Sequence, residues 1–241
     1  MSASGASTGP CLIAERHADW EIGGMLGEQA RKLKKLVRKL SGLSTLDDLT
    51  VAQRRDMWPP ASPLQEKHLR NCRLVENRHV MLEHMPKHAT CAEIGIWRCD
   101  YSQEIMAVTQ PSRLHLVDID PASIECANKK FSQEIASGNV SVHLGDSSAV
   151  IASMPDNYFD WIYVDGDHSY EGVKRDLEAT LPKLKHDALV ALNDYIYFEP
   201  SGFSKYGIIE AVNEFCIEHD FELVYFALHG RMYCDVVLRA L

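Results

Sequence analysis

The sequence predicts an α/β fold: a doubly wound, mostly parallel, seven-stranded sheet of Rossmann-like type, ending in an antiparallel hairpin and preceded by an N-terminal helical extension. Two observations carry this. After Thr90, short apolar runs alternate with stretches of helical periodicity, the pattern of βαβ units. The runs also end in Gly, Asp, Asn or Ser, where ligands bind in open α/β sheets.

The predicted strands are Cys91 to Ile94, Leu114 to Val117, Val140 to Leu144, Trp161 to Val164 and Leu189 to Leu192, followed by two β-rich runs, Glu222 to Leu228 and Tyr233 to Leu238. The short connection around Gly230 pairs the last two as a hairpin at the sheet edge. Helices are expected over Tyr101 to Val108, Pro121 to Ala136, Ser147 to Met154, Tyr170 to Leu181 and Gly207 to His219. Asp120 before Pro121 reads as an N-cap and Gly138 as a C-terminal stop.

Upstream, the first residues are small and polar and read as a tail. Glu28 to Leu40 alternates basic and apolar residues as an amphipathic helix with a solvated basic face. Pro59, Pro60 and Pro63 interrupt regular structure, so the chain divides into an extension, residues 1–63, and a main domain, residues 64–241. Leu64 to Met85 reads as one helix leading into it.

With 241 residues, the chain has room for one substantial core plus an addition. The formal net charge of −9 disfavours a molecule-wide nucleic-acid surface and favours a small-molecule partner. Seven scattered cysteines without a C-x-x-C pair suggest reduced thiols rather than a disulfide framework or zinc site. No apolar run reaches the ~20 residues that span a bilayer, so a cytoplasmic protein without a membrane partner is expected. The oligomeric state is left open, a homo-oligomer included.

Candidate site residues follow from the strand ends. Gly95 lets backbone approach a ligand closely. The first loop is not G-x-G-x-x-G, which argues against the phosphate cradle of a nicotinamide-dependent oxidoreductase. Asp118 stands at ribose-binding distance along the chain, and Asp146 with Ser147 ends the third strand beside an adenine position or as a capped helix start. The fourth strand runs into Asp165-Gly166-Asp167-His168-Ser169-Tyr170, and the fifth into Asn193-Asp194. Together these oxygen donors make a candidate Mg²⁺ site.

Glu93-Ile94-Gly95, Val117-Asp118, Gly145-Asp146-Ser147 and above all Val164 to Tyr170 resemble class I S-adenosylmethionine (SAM)-dependent methyltransferases, over roughly residues 70–241. The D-G-x-H-x-Y run is similar to that of metal-dependent macrolide-sugar O-methyltransferases. The resemblance implies SAM at Glu93, Gly95, Asp118, Asp146, Ser147 and Asp165, Mg²⁺ at Asp165 and Asp194 with Asn193 as third ligand, and His168 with Asp165 as the catalytic pair. It implies methylation of a hydroxyl on a small molecule, a sugar or natural product included. Two departures stand out: Asn193 replaces a carboxylate of the sugar enzymes, and Cys99 occupies a position where glycine is usual. The competing readings are a SAM-binding protein without transferase activity, an oxidoreductase using nicotinamide, and a hydroxylase on a similar fold.

Overall fold

The computed structural model describes residues 60–199 and 205–241. The expected tail and the helix at residues 28–40 lie outside them. The described residues belong to one compact unit, Pro60–Leu241.

Its elements in order are α1 (Glu66–Leu69), β1 (Arg73–Val75), α2 (Arg78–Glu83), β2 (Thr90–Ile94), α3 (Asp100–Thr109), β3 (Arg113–Asp118), α4 (Pro121–Lys130), α5 (Ser132–Ser137), β4 (Val140–Leu144), α6 (Ser147–Ala152), β5 (Phe159–Val164), α7 (Tyr170–Thr180), β6 (Leu184–Leu192), α8 (Ile208–His219), β7 (Phe221–Ala227) and β8 (Asp235–Ala240). They build an eight-stranded sheet in the order β1-β7-β8-β6-β5-β2-β3-β4. All pairs are parallel except β6 with β8 and β7 with β8.

Strand alternation divides the core between the two faces. On β5, Trp161 and Tyr163 face one cluster with Met81 and Leu82 of α2, Ile105 of α3 and Ala127 of α4. Ile162 and Val164 face the other, with Ile151 of α6, Val173 and Leu177 of α7 and Val212 of α8. Helices on both faces make the sheet doubly wound, and strand order reverses between β2 and β5.

Three expectations are corrected. Leu64 to Met85 is not one helix but α1, β1 and α2. Asn77 breaks it: its backbone is extended, and its side chain accepts from His79 N and Val80 N to start α2 afresh. β1 supplies an eighth strand and covers β7, so the C-terminal hairpin is interior rather than at the edge. The helix from Pro121 divides at Phe131 into α4 and α5. The smaller features hold: Asp120 caps α4 by accepting from Ala122 N at 2.9 Å, and Gly138 ends α5 at φ 84°.

Candidate cofactor cleft and acceptor site

A cleft of about 530 Å³ opens at the carboxyl ends of β2, β3, β4 and β5. Of the expected cofactor residues, Gly95, Asp118, Asp146, Ser147 and Asp165 line it. Glu93 does not. It lies between Ala92 and Ile94 on β2, so the two-residue period sends its side chain to the other face. There it is buried, with Oε2 unpartnered, and burial raises its pKa to about 8 against the opposing influence of Ser102. Tyr101 and Tyr163, ring centroids 4.5 Å apart, occupy the same layer. Arg78 caps Tyr101 at 4.7 Å, and Tyr163 donates to the buried Asp235 at 2.8 Å.

Gly95 has φ 81°, and a Cβ there would lie 2.0 Å from the Asp165 carbonyl oxygen. The glycine thus serves the close approach of the β2 and β5 loops, which hydrogen-bond through Asp165 N to Ile94 O at 2.8 Å. Cys99 is the N-cap of α3 at φ 59°, a left-handed backbone position that explains why glycine is usual there. Its side chain is buried and does not line the cleft.

Asp118 holds the first loop through its carboxylate. Oδ2 accepts from Ile96 N at 2.9 Å and Trp97 N at 3.1 Å, and Oδ1 accepts from Asp120 N at 2.8 Å. A carboxylate oxygen with one donor retains capacity for another. Asp146 caps α6, taking Ala149 N and Ser148 Oγ on Oδ1. Ser147 donates to Asp176 Oδ1 at 2.6 Å.

Asp176 and Arg175 also line the cleft, and the sequence reading missed both. Asp176 left a usable signal: an acid on the apolar stripe formed by Val173 and Leu177 of α7. The cleft rim keeps two apolar side chains exposed, Trp97 at 70% and Ile119 at 72%.

Beside this cleft, Asp165, His168, Asn193 and Asp194 come together. His168 Nε2 lies 3.5 Å from Asp165 Oδ1 and 3.7 Å from Asp194 Oδ2, and has no hydrogen-bond partner. Asn193 donates its amide to Asp165 Oδ1 at 2.7 Å. Burial disfavours the charged imidazole, yet Asp165 and Asp194 together hold the His168 pKa above its ordinary value. Burial raises the Asp194 carboxyl to about 6, His168 opposing and Asp165 adding. Asp194 also sits at φ 56°, a sparsely populated conformation for a non-glycine residue. Tyr206 stacks on the imidazole, centroids 4.6 Å apart, and Gly207 N donates to His168 O at 2.8 Å. Among the described residues, the grouping of His and acid ligand atoms within 4.8 Å of one another is elsewhere, at Glu178, Glu218 and His219.

Residues 92–195, which hold both groups, match the family model described as a methyltransferase domain. Solved methyltransferases share the fold. The described sheet superposes on a SAM-dependent methyltransferase from Aquifex aeolicus with a TM-score of 0.52 at 16% identity, over 68% of this chain and 88% of that one. A Streptococcus mutans protein, described as a methyltransferase and solved with S-adenosylhomocysteine (SAH), gives 0.52 at 11%, over 68% and 96%. The pyocyanin biosynthetic protein PhzM gives 0.53 at 15%, over 68% of this chain and 54% of its own, so this chain spans about half of that length. A comparison with curated proteins gives no match.

The cleft suits SAM on its own chemistry. Asp118 offers an acceptor, Asp176 a buried oxygen without a partner, and Ile119 an apolar wall. The first loop carries a single tight glycine turn and no phosphate cradle, as a cofactor without phosphates permits.

Proposed function

We propose that the protein, through residues 64–241, transfers the SAM methyl group to a hydroxyl of a small molecule or sugar. The observation that carries this is the position of Asp165, which lines the cofactor cleft and also faces His168 3.5 Å away, so the two sites share a wall. Gly95, Asp118, Asp146, Ser147 and Asp165 form the cofactor side.

SAM, when bound, supplies a methyl group made electrophilic by the neighbouring sulfonium. The protein's part is to hold an oxygen nucleophile in line and remove its proton. His168 takes that proton on Nε2, the ring nitrogen without a partner. Asp165 and Asp194 stabilise the imidazolium that results, while Tyr206 stacks on the ring and the Gly207 N–H fixes the His168 backbone carbonyl. Mg²⁺, when bound, lowers the pKa of a hydroxyl it coordinates, and Asp165 and Asp194 would hold it with Asn193 as third ligand. The set offers two carboxylates and an amide carbonyl, hard oxygen donors of the kind Mg²⁺ takes. The net charge of −9 favours a small-molecule acceptor over a nucleic acid.

The test is turnover of SAM with a panel of hydroxylated acceptors, read as SAH formed and a product heavier by one methylene. His168→Ala is expected to keep SAH affinity and lose turnover by ~100-fold or more. Full turnover in that variant would remove the base assignment, and a product heavier by one oxygen would favour the hydroxylase reading. SAH binding without turnover on any acceptor would favour a SAM-binding protein.

A further inference from the structure

Two free cysteines meet where the loop after β2 packs on α4. Cys99 is the buried N-cap of α3, and Cys126 is half-buried on α4. Each thiol donates to a backbone carbonyl beside the other. Cys99 Sγ reaches Ser123 O at 4.0 Å, three residues before Cys126, and Cys126 Sγ reaches Arg98 O at 3.4 Å, next to Cys99. The two thiols also hydrogen-bond to each other.

Their surroundings suit reaction as well as packing. Lys130 Nζ donates to the same Arg98 carbonyl at 2.7 Å, and to Asp100 Oδ1 and Gln103 Oε1, which sets an ammonium beside both sulfurs. A thiol next to an ammonium ionises more readily. Burial pushes the Cys99 thiol up to about 12, Cys126 adding and Lys130 opposing. The more exposed Cys126 is therefore the attacking sulfur and the buried Cys99 the resolving one.

We propose that Cys99 and Cys126 form a redox-sensitive pair that reacts with low-molecular-weight disulfides and locks the loop after β2 onto α4. The Cys126 thiolate attacks one sulfur of the small disulfide and expels the other as a thiolate, which takes up a proton. Cys99 then gives up its proton and attacks the Cys126 sulfur, expelling the second small thiol. The protein loses two electrons and two protons, and the small disulfide gains them and leaves as two thiols.

The lock reaches the cleft. Ile96 and Trp97, whose N–H groups Asp118 holds, lie in the same loop, and Ser123 lines the cleft from α4. Bonded sulfurs stand about 2 Å apart, closer than hydrogen-bonded thiols, so oxidation draws Cys99 towards α4 and shifts the backbone that Asp118 holds. SAH affinity falls as a result, a step that rests on the SAM reading of the cleft.

The experiment incubates the reduced full chain with oxidised glutathione, alkylates the remaining thiols and maps peptides by mass without reduction. The expected product is a Cys99–Cys126 link, lighter than the two thiols by two hydrogens and reversed by dithiothreitol. Cys99→Ser is expected to stop with one glutathionyl group on Cys126. Calorimetry is expected to show SAH bound at least ~5-fold more weakly by the oxidised native protein than by the reduced one, and equally by Cys126→Ser before and after the same treatment. Absence of the Cys99–Cys126 link in the native protein overturns the pair. A link that leaves SAH affinity unchanged overturns the control of the cleft alone. Failure of the reduced native protein to bind SAH overturns the SAM reading and that control with it, while the disulfide is judged by its mass.

Discussion

At Gly95 the loops that follow β2 and β5 touch through backbone. Its N–H donates to Val117 O at 2.9 Å, and its missing Cβ leaves room for the Asp165 carbonyl. Gly95→Ala is therefore expected to push the β5 loop away and lose both stability, by roughly 2 kcal/mol or more, and SAH affinity. Thermal unfolding and calorimetry check this, and a variant that melts and binds as the native protein would contradict the packing described. The sequence showed that this glycine matters but not why. The atom it must avoid belongs to a residue 70 positions later, brought near only by the pairing of β2 with β5. That Asp165, His168 and Asp194 would come together was legible because each follows closely on an apolar run. Glu93 was misplaced because a motif gives its order along the strand, whereas the face it takes follows from alternation. Asp176 was readable in principle, as a charge out of pattern on α7.

Among the elements, the carboxyl ends of β2, β4, β5 and β6 fall at Ile94, Leu144, Val164 and Leu192, where the sequence put them, because glycine and acids punctuate the apolar runs. The start of β6 was hidden by exposed Lys185, His186 and Asp187, and β1 by the helical periodicity around it. From β3 to β4 and to Tyr158, just before β5, runs a polar ladder that no sequence pattern announced. His115 meets His143 Nε2 at 3.0 Å through Nδ1 and Tyr158 at 3.1 Å through Nε2, with Phe159 against its ring. Burial, with His143 and Arg113 adding, lowers the His115 pKa to about 4. An imidazole depressed in the folded state binds fewer protons there than when unfolded. Its contribution is thus present above the unfolded value of about 6.5 and lost as pH falls towards 4, by at most ~1.4 kcal/mol for each tenfold rise in proton concentration. Glu93, Asp235, Asp194 and Asp176, all raised by burial, act in the opposite sense as pH rises. The ladder is isolated by difference: denaturant unfolding at pH 7 and pH 5 should show a smaller acid loss in His115→Gln than in the native protein. Equal losses would mean that His115 is not the buried neutral imidazole described.

At the scale of the molecule, strand order places both candidate sites at the carboxyl ends of neighbouring strands. The crossovers from β2 and β5 diverge at the switch point, the cleft opens towards β3 and β4, and the acid and histidine cluster stands towards β6. Among the described residues no helix is long and apolar enough to cross a membrane. The architecture was legible from periodicity and punctuation, since parallel strands buried on both faces are marked by continuous apolar runs. The acceptor was not, because no periodic pattern marks the segments expected to shape its site. The most direct measurement is titration of the full chain with SAH, with and without Mg²⁺, in the native protein and in Asp118→Ala. Micromolar binding by the native protein, weakened by roughly tenfold or more in Asp118→Ala, is the expected result. No SAH binding by the folded native protein under either condition would contradict the account at its centre.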